Sequence, residues 1–171
     1  QSLKDRAWRQ LGTSGGGNHF VEWGVYNSSG AVFKVLNNMP QRAIALMSHS
    51  GSRALGYTIA NYFTKLASQI NPLPAPLNEL SWLSMDTEEG QLYYQLMCLC
   101  GDYSAANHDC IHYSVINSAR FDTDSIKTKV ISNHHNYAWK EYVGDELVYV
   151  HRKGATPAGF GEAGIIPSSM A

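Results

Sequence analysis

The 171-residue chain has little charge: 13 Lys and Arg stand against 14 Asp and Glu, and the formal net charge is −1. That balance excludes a bulk polycation, so any contact with nucleic acid has to come from a local patch. Cysteine is scarce too. Cys98, Cys100 and Cys110 are odd in number and crowded into one segment. They make a poor disulfide framework, which predicts a reducing, cytoplasmic location. No apolar run is long enough to span a bilayer, which excludes a membrane-crossing helix. Internal repeats and low-complexity tracts are also missing, and the whole of residues 1–171 reads as one domain. What is present fits that reading, since the 44% apolar fraction is ordinary for a globular protein that buries a core. The chain opens on Gln1 and stops at Pro167-Ser168-Ser169-Met170-Ala171, just after Ile165-Ile166. These ends read as cuts, and the expectation is a piece of a longer protein.

The pattern of apolar residues predicts mixed helices and strands, an α+β fold. From Asn18 to Leu36 partial alternation around Asn27-Ser28-Ser29-Gly30 reads as a hairpin. Ala43 to Met47 is a short apolar run expected to be a buried strand, with His49 at or just past its C-terminal end. Ser52 is placed to cap a helix reaching about Gln69, with Leu55, Ile59, Tyr62, Phe63 and Leu66 on one face. Asn71 to Pro76 then forms an extended connector. A second long helix is expected from near Asp86, its N-cap, with Glu88 and Glu89 in the first turn and a break at Gly101. Trp139 to Tyr142 and Glu146 to Val150 flank Gly144-Asp145, a hairpin signal.

Three clusters carry chemistry. The run Gly12-Thr13-Ser14-Gly15-Gly16-Gly17-Asn18-His19 frees the backbone for close approach to a ligand, as in turns whose N–H groups cradle phosphate. A tight turn without a ligand is the plainer alternative. His19, His49 and His135 each sit beside small or amide residues at an element end, so they could meet on a metal; surface or core histidines are the alternative. Glu22 follows His19 by three, on the opposite face of a strand, and a solvated glutamate is its plain reading. Arg53, at a helix start, suits phosphate or a surface ion pair. His151-Arg152-Lys153-Gly154 is either a solvated basic loop or a clamp beside a phosphate. His108-Asp109-Cys110-Ile111-His112 puts two imidazoles on one helix face but lacks the glutamate of the zinc-protease pattern. The three cysteines read as small packing groups in the long helix.

Taken in order, Gly12 to Glu22, His49-Ser50-Gly51-Ser52-Arg53, His134-His135-Asn136-Tyr137 and Arg152-Lys153-Gly154-Ala155-Thr156 resemble the RtcB family of tRNA-splicing and RNA-repair ligases. The resemblance runs from near residue 11 to the C-terminus. It implies an RtcB-like core of mixed sheets flanked by long helices. It also implies a GTP- and Mn2+-dependent enzyme, with zinc an alternative metal, that joins an RNA 3′-phosphate or 2′,3′-cyclic phosphate to a 5′-hydroxyl. The partners implied are RNA (tRNA halves or broken ends) and GTP, with no membrane and with any protein activator left open.

By the same resemblance His19, His49 and His135 correspond to metal ligands, His135 being chosen over His134 because the family's ligand directly precedes the Asn. Asn18, Glu22 and Ser169 correspond to nucleotide contacts, and Arg53 and Lys153 to RNA or phosphate contacts. The family's upstream Asp-x-x-Cys-Gly segment has no match here. Nor does its Ser-His-Gly-Ala-Gly-Arg segment, which carries the guanylylated histidine. Asn107-His108, Pro157 and Ser168 replace the family's Asn-Arg, Arg and Gly. The expectation is a parent ligase of which this chain alone is inactive. The rivals are a non-catalytic metal- or nucleotide-binding module and a metallohydrolase with Glu22 as base.

Overall fold

The computed structural model describes residues 2–27, 40–119 and 129–166. The described elements are helix α1 (Leu3–Gln10), strands β1 (Phe20–Asn27) and β2 (Arg42–His49), helices α2 (Arg53–Ile70) and α3 (Glu88–Ser118), and strands β3 (Asn136–Val143) and β4 (Glu146–Lys153). A short 3-10 turn at Leu77–Leu80 interrupts the proline-rich connector. The fold is α+β. Among the described helices none is long and apolar enough to cross a membrane. The chain divides into two compact units, Gln1–Gly17 with Ser50–Ser114, and Asn18–His49 with Val115–Ala171.

The first unit is helical. The sequence reading left α1 unassigned, yet its signal is present: the Ser2 hydroxyl accepts from the Asp5 N–H and the Asp5 carboxylate accepts from the Ser2 N–H, a capping box. α2 forms as expected, but the Ser52 side chain makes no capping hydrogen bond. Its buried stripe is carried by Phe63 and Ala67, while Tyr62 is 63% exposed and only edges against the Phe63 ring. Phe63 also meets Tyr93 of α3, ring centres 4.9 Å apart. α3 starts later than Asp86 because the cap is Thr87, whose hydroxyl accepts from the Gly90 N–H. It also runs through Gly101 without a break, that glycine being buried within the helix. Every buried residue among those described lies in this unit: Ala7, Phe63, Ala67, Gly90, Cys100, Gly101, Asn107 and Ile111.

The second unit contains two antiparallel hairpin sheets. β1 pairs with β2, with Phe20 opposite His49 and Asn27 opposite Arg42. The expected partner after Asn27-Ser28-Ser29-Gly30 lies outside the described residues, and the run Ala43 to Met47, read as a buried strand, is one arm of this ribbon with no fully buried residue. β3 and β4 pair with Val143 opposite Glu146, so Gly144-Asp145 is the two-residue turn. Gly144 has φ +63° and Asp145 does not share the positive sign, which is the backbone of a II′ turn and needs glycine at its first position.

Candidate functional site

Each histidine of the trio sits where a strand ends. His19 immediately precedes β1, His49 is the last residue of β2, and His135 immediately precedes β3. The β1–β2 register sets Phe20 across from His49, and the two rings meet edge to face with centres 5.6 Å apart. The His19 ring lies 5.8 Å from that of His49, and His135 meets it at 5.0 Å. The His135 backbone is held too, its carbonyl accepting from the Ala155 N–H at 3.1 Å beyond the end of the β3–β4 ladder. Three sequence segments 30 and 86 residues apart therefore deliver imidazoles to one place.

Burial, reinforced by the neighbouring His135 and then His19, pulls the His49 imidazolium below the ordinary histidine pKa. The neutral imidazole this favours is the form that ligates a metal. Imidazoles sharing one ion through nitrogens about 2.1 Å away carry their ring centres roughly 5 Å apart, close to the spacing here. The donor chemistry thus fits a divalent transition ion. As the rings stand, however, no group of three or more His, Cys, Asp or Glu among the described residues is arranged to hold a metal ion, the trio included. His134 turns elsewhere, stacking on Tyr137 with ring centres 4.9 Å apart and planes 17° apart.

The other sequence-predicted residues are placed unevenly. Asn18 is exposed just ahead of His19. Glu22, also exposed, lies two positions along β1 from Phe20 and so on the face that carries His49. Lys153 closes β4 on the face opposite Arg152. Arg152 is not available as a clamp: its guanidinium is held by both carboxylate oxygens of Glu141, with Nη2 to Oε2 at 2.7 Å, and lies over the Trp139 ring. The basic cluster at 151–153 is therefore split between two faces and partly neutralised. Ser169 lies outside the described residues.

In the helical unit the glycine-rich run is organised by a residue the sequence reading gave no role, Asn107. It is fully buried. Its Oδ1 accepts from the N–H groups of Gly12 (2.7 Å) and Thr13 (3.2 Å), and its Nδ2 donates to the Thr13 carbonyl and to Ser50 Oγ, both at 3.1 Å. The Ser50 hydroxyl in turn donates to the Ser14 carbonyl at 2.8 Å. Gly12 has φ +78°, and a Cβ there would stand 3.3 Å from the Cys110 Cβ. The start of the run is thus a fastened turn whose first two N–H groups are spent internally, not free for phosphate. No periodicity signals this; a lone Asn in an otherwise apolar helix face was the available clue.

Arg53 opens α2 with φ +55°. Left-handed backbone at a side chain of this size costs about 1–2 kcal/mol and persists only where neighbours hold it. They do: Gln10 Oε1 accepts from the Ala54 N–H at 3.0 Å, and Thr13 Oγ1 accepts from Arg53 Nε at 3.3 Å. Tyr103 fastens α1 by donating to the Ala7 carbonyl at 2.7 Å. His108 and His112 share a face of α3, ring centres 6.3 Å apart. All three cysteines are free thiols, and burial raises the Cys100 pKa, which suits a packing role.

Comparison with known proteins adds the family. A family model described as tRNA-splicing ligase RtcB matches residues 1–171. The chain is 31% identical over 180 residues to the RNA-splicing ligase RtcB of Escherichia coli K12, covering 98% of this chain and 40% of that protein. It is 30% identical to the tRNA-splicing ligase RtcB of Nanoarchaeum equitans, again over 40% of the relative's length. Against the Thermococcus kodakarensis tRNA-splicing ligase RtcB the figures are 32% identity and 41%. The chain spans about two-fifths of these relatives.

Proposed function

Because the chain belongs to the tRNA-splicing ligase RtcB family, we propose that it forms part of an RNA ligase. The reaction proposed joins an RNA 3′-phosphate or 2′,3′-cyclic phosphate to a 5′-hydroxyl, with GTP and manganese as cofactors. The observation that carries this reading is the meeting of His19, His49 and His135 at the ends of three strands. These three imidazoles would hold the metal. A bound divalent ion there would neutralise phosphate charge and orient the reacting groups. His49, whose pKa burial lowers, is the central donor, and the Ala155 N–H fixes the approach of His135.

Asn18 and Glu22 contact the guanylate, Arg53 and Lys153 contact RNA phosphate, and Ser169, outside the described residues, is assigned to the nucleotide by the family resemblance alone. No match to the family's guanylylated-histidine segment occurs among the seven histidines, so this chain alone does not accept guanylate from GTP.

Calorimetric titration of the chain with manganese chloride tests the metal assignment. The expected result is one binding event that His49→Ala abolishes. Equal manganese affinity in wild type and in a folded His49→Ala variant overturns it. Transfer of label from GTP to this chain overturns the expectation of inactivity.

A further inference from the structure

Arg53 combines a strained backbone with a guanidinium held at one point. Its Nε donates to Thr13 Oγ1 at 3.3 Å. The same hydroxyl donates to the Gln10 carbonyl at 2.6 Å, so its own proton is committed and a lone pair is left for Arg53. Thr13 is itself held by its backbone, through its N–H and its carbonyl, by the buried Asn107 amide. The Nη groups of Arg53 make no hydrogen bond among the described residues. Fixing Nε stops rotation about the Cδ–Nε bond and pre-sets the fork, which is what a planar guanidinium needs for two-point recognition of a phosphate.

We propose that Thr13 is a positioning residue: mounted on Asn107, its hydroxyl holds the Arg53 guanidinium in the orientation that receives an RNA phosphate. This rests on the reading of Arg53 as an RNA contact. The Asn107–Thr13–Arg53 chain links the glycine-rich turn, α3 and the start of α2 within one unit. It gives the buried Asn107 a purpose beyond packing and gives the unusual φ of Arg53 a reason to be held.

The test has two readouts on the 171-residue chain. The first needs no ligand: the Arg53 Nε–Hε resonance in 15N-edited NMR spectra, assigned by its loss in Arg53→Lys. It is expected to be protected from exchange in wild type and Thr13→Ser, and lost to exchange in Thr13→Val. The second is binding of a fluorescein-labelled single-stranded RNA bearing a 3′-phosphate, at one fixed salt concentration. Arg53→Met is expected to weaken it about tenfold, Thr13→Val several-fold, and the double variant no more than Arg53→Met alone, with Thr13→Ser restoring wild-type affinity.

Thr13 is exposed, so the Val variant should keep the fold. Asn107→Asp, which keeps the Oδ acceptor but loses the donor to the Thr13 carbonyl, provides a second route to the same loss. An Arg53 Hε signal unchanged by Thr13→Val, or losses that add in the double variant, overturns the positioning role. A signal that responds to Thr13→Val while Arg53→Met leaves RNA binding unchanged overturns instead the reading of Arg53 as an RNA contact, and with it the purpose assigned to Thr13.

Discussion

The imidazole of His49 meets that of His135 nearly edge-on, ring centres 5.0 Å apart, although 86 residues separate them in sequence. His134, the adjacent residue, is stacked on Tyr137 instead. Neighbours in sequence with opposite surroundings make a clean comparison. His135→Ala is expected to lower manganese affinity on the order of 100-fold, and His134→Ala to leave it within a few-fold, if loss of a metal ligand costs at least as much as loss of its supporting partner. Calorimetry on the two variants decides between them, and equal losses would mean that the rings act as a packed aromatic group rather than as donors.

A second expectation concerns Asn107, which satisfies four partners around the glycine-rich turn. Asn107→Ala leaves the part-buried Gly12 N–H without its acceptor and the Thr13 N–H with the Gln10 carbonyl alone. The cost is about 2–4 kcal/mol, read as a lowered urea midpoint at unchanged slope. A loss under about 0.5 kcal/mol, the size of an ordinary surface change, would show that the turn closes without the amide.

Much of this was legible in the sequence, for reasons that differ by residue. The β3–β4 turn was readable because Gly144 carries a local requirement that only its own backbone decides. The histidine trio was visible as chemistry, three imidazoles at element ends, though its meeting is long-range: the β1–β2 register sets Phe20, next to His19, across from His49, and His135 meets His49 from the start of a separate hairpin. The pairing of β1 with β2 was not read, because strand pairing joins segments distant in sequence and no local turn residue signals it. The partners of Asn107 could not be read, even though the lone amide on an apolar helix face stood out. A buried amide is recognised by the backbone groups it satisfies, and those lie 94 and 95 positions away.

The start of α3 yields a third prediction. Thr87→Ala removes the hydroxyl that accepts from the Gly90 N–H and should cost about 1 kcal/mol. Gly90→Ala should cost more, about 2–3 kcal/mol, because a Cβ at that position would stand 2.0 Å from the Ser84 carbonyl oxygen and 2.7 Å from its carbon. Those are backbone atoms and cannot swing aside, so the Ser84–Thr87 turn must open. Thermal unfolding of the two variants should rank them in this order; the reverse order would mean that the turn yields freely.

The last prediction is a pH dependence set by His112 in the helical unit. Burial holds its pKa below the ordinary value of 6.5, and the Asp109 carboxylate opposes this only in part. Between the depressed folded value and 6.5 the unfolded chain carries a proton that the folded chain does not. Stability therefore rises with pH through that window, is fully present above it, and is lost as the pH falls. His49 is displaced in the same direction and adds to the trend. Lowering the pH from about 7.5 to about 5.5 should depress the unfolding midpoint of the wild type, and His112→Gln, which titrates nowhere in that range, should flatten the dependence without abolishing it. Urea midpoints across the range measure it directly. Parallel curves for the two proteins would place the proton uptake elsewhere and leave His112 as a group that folding does not disturb.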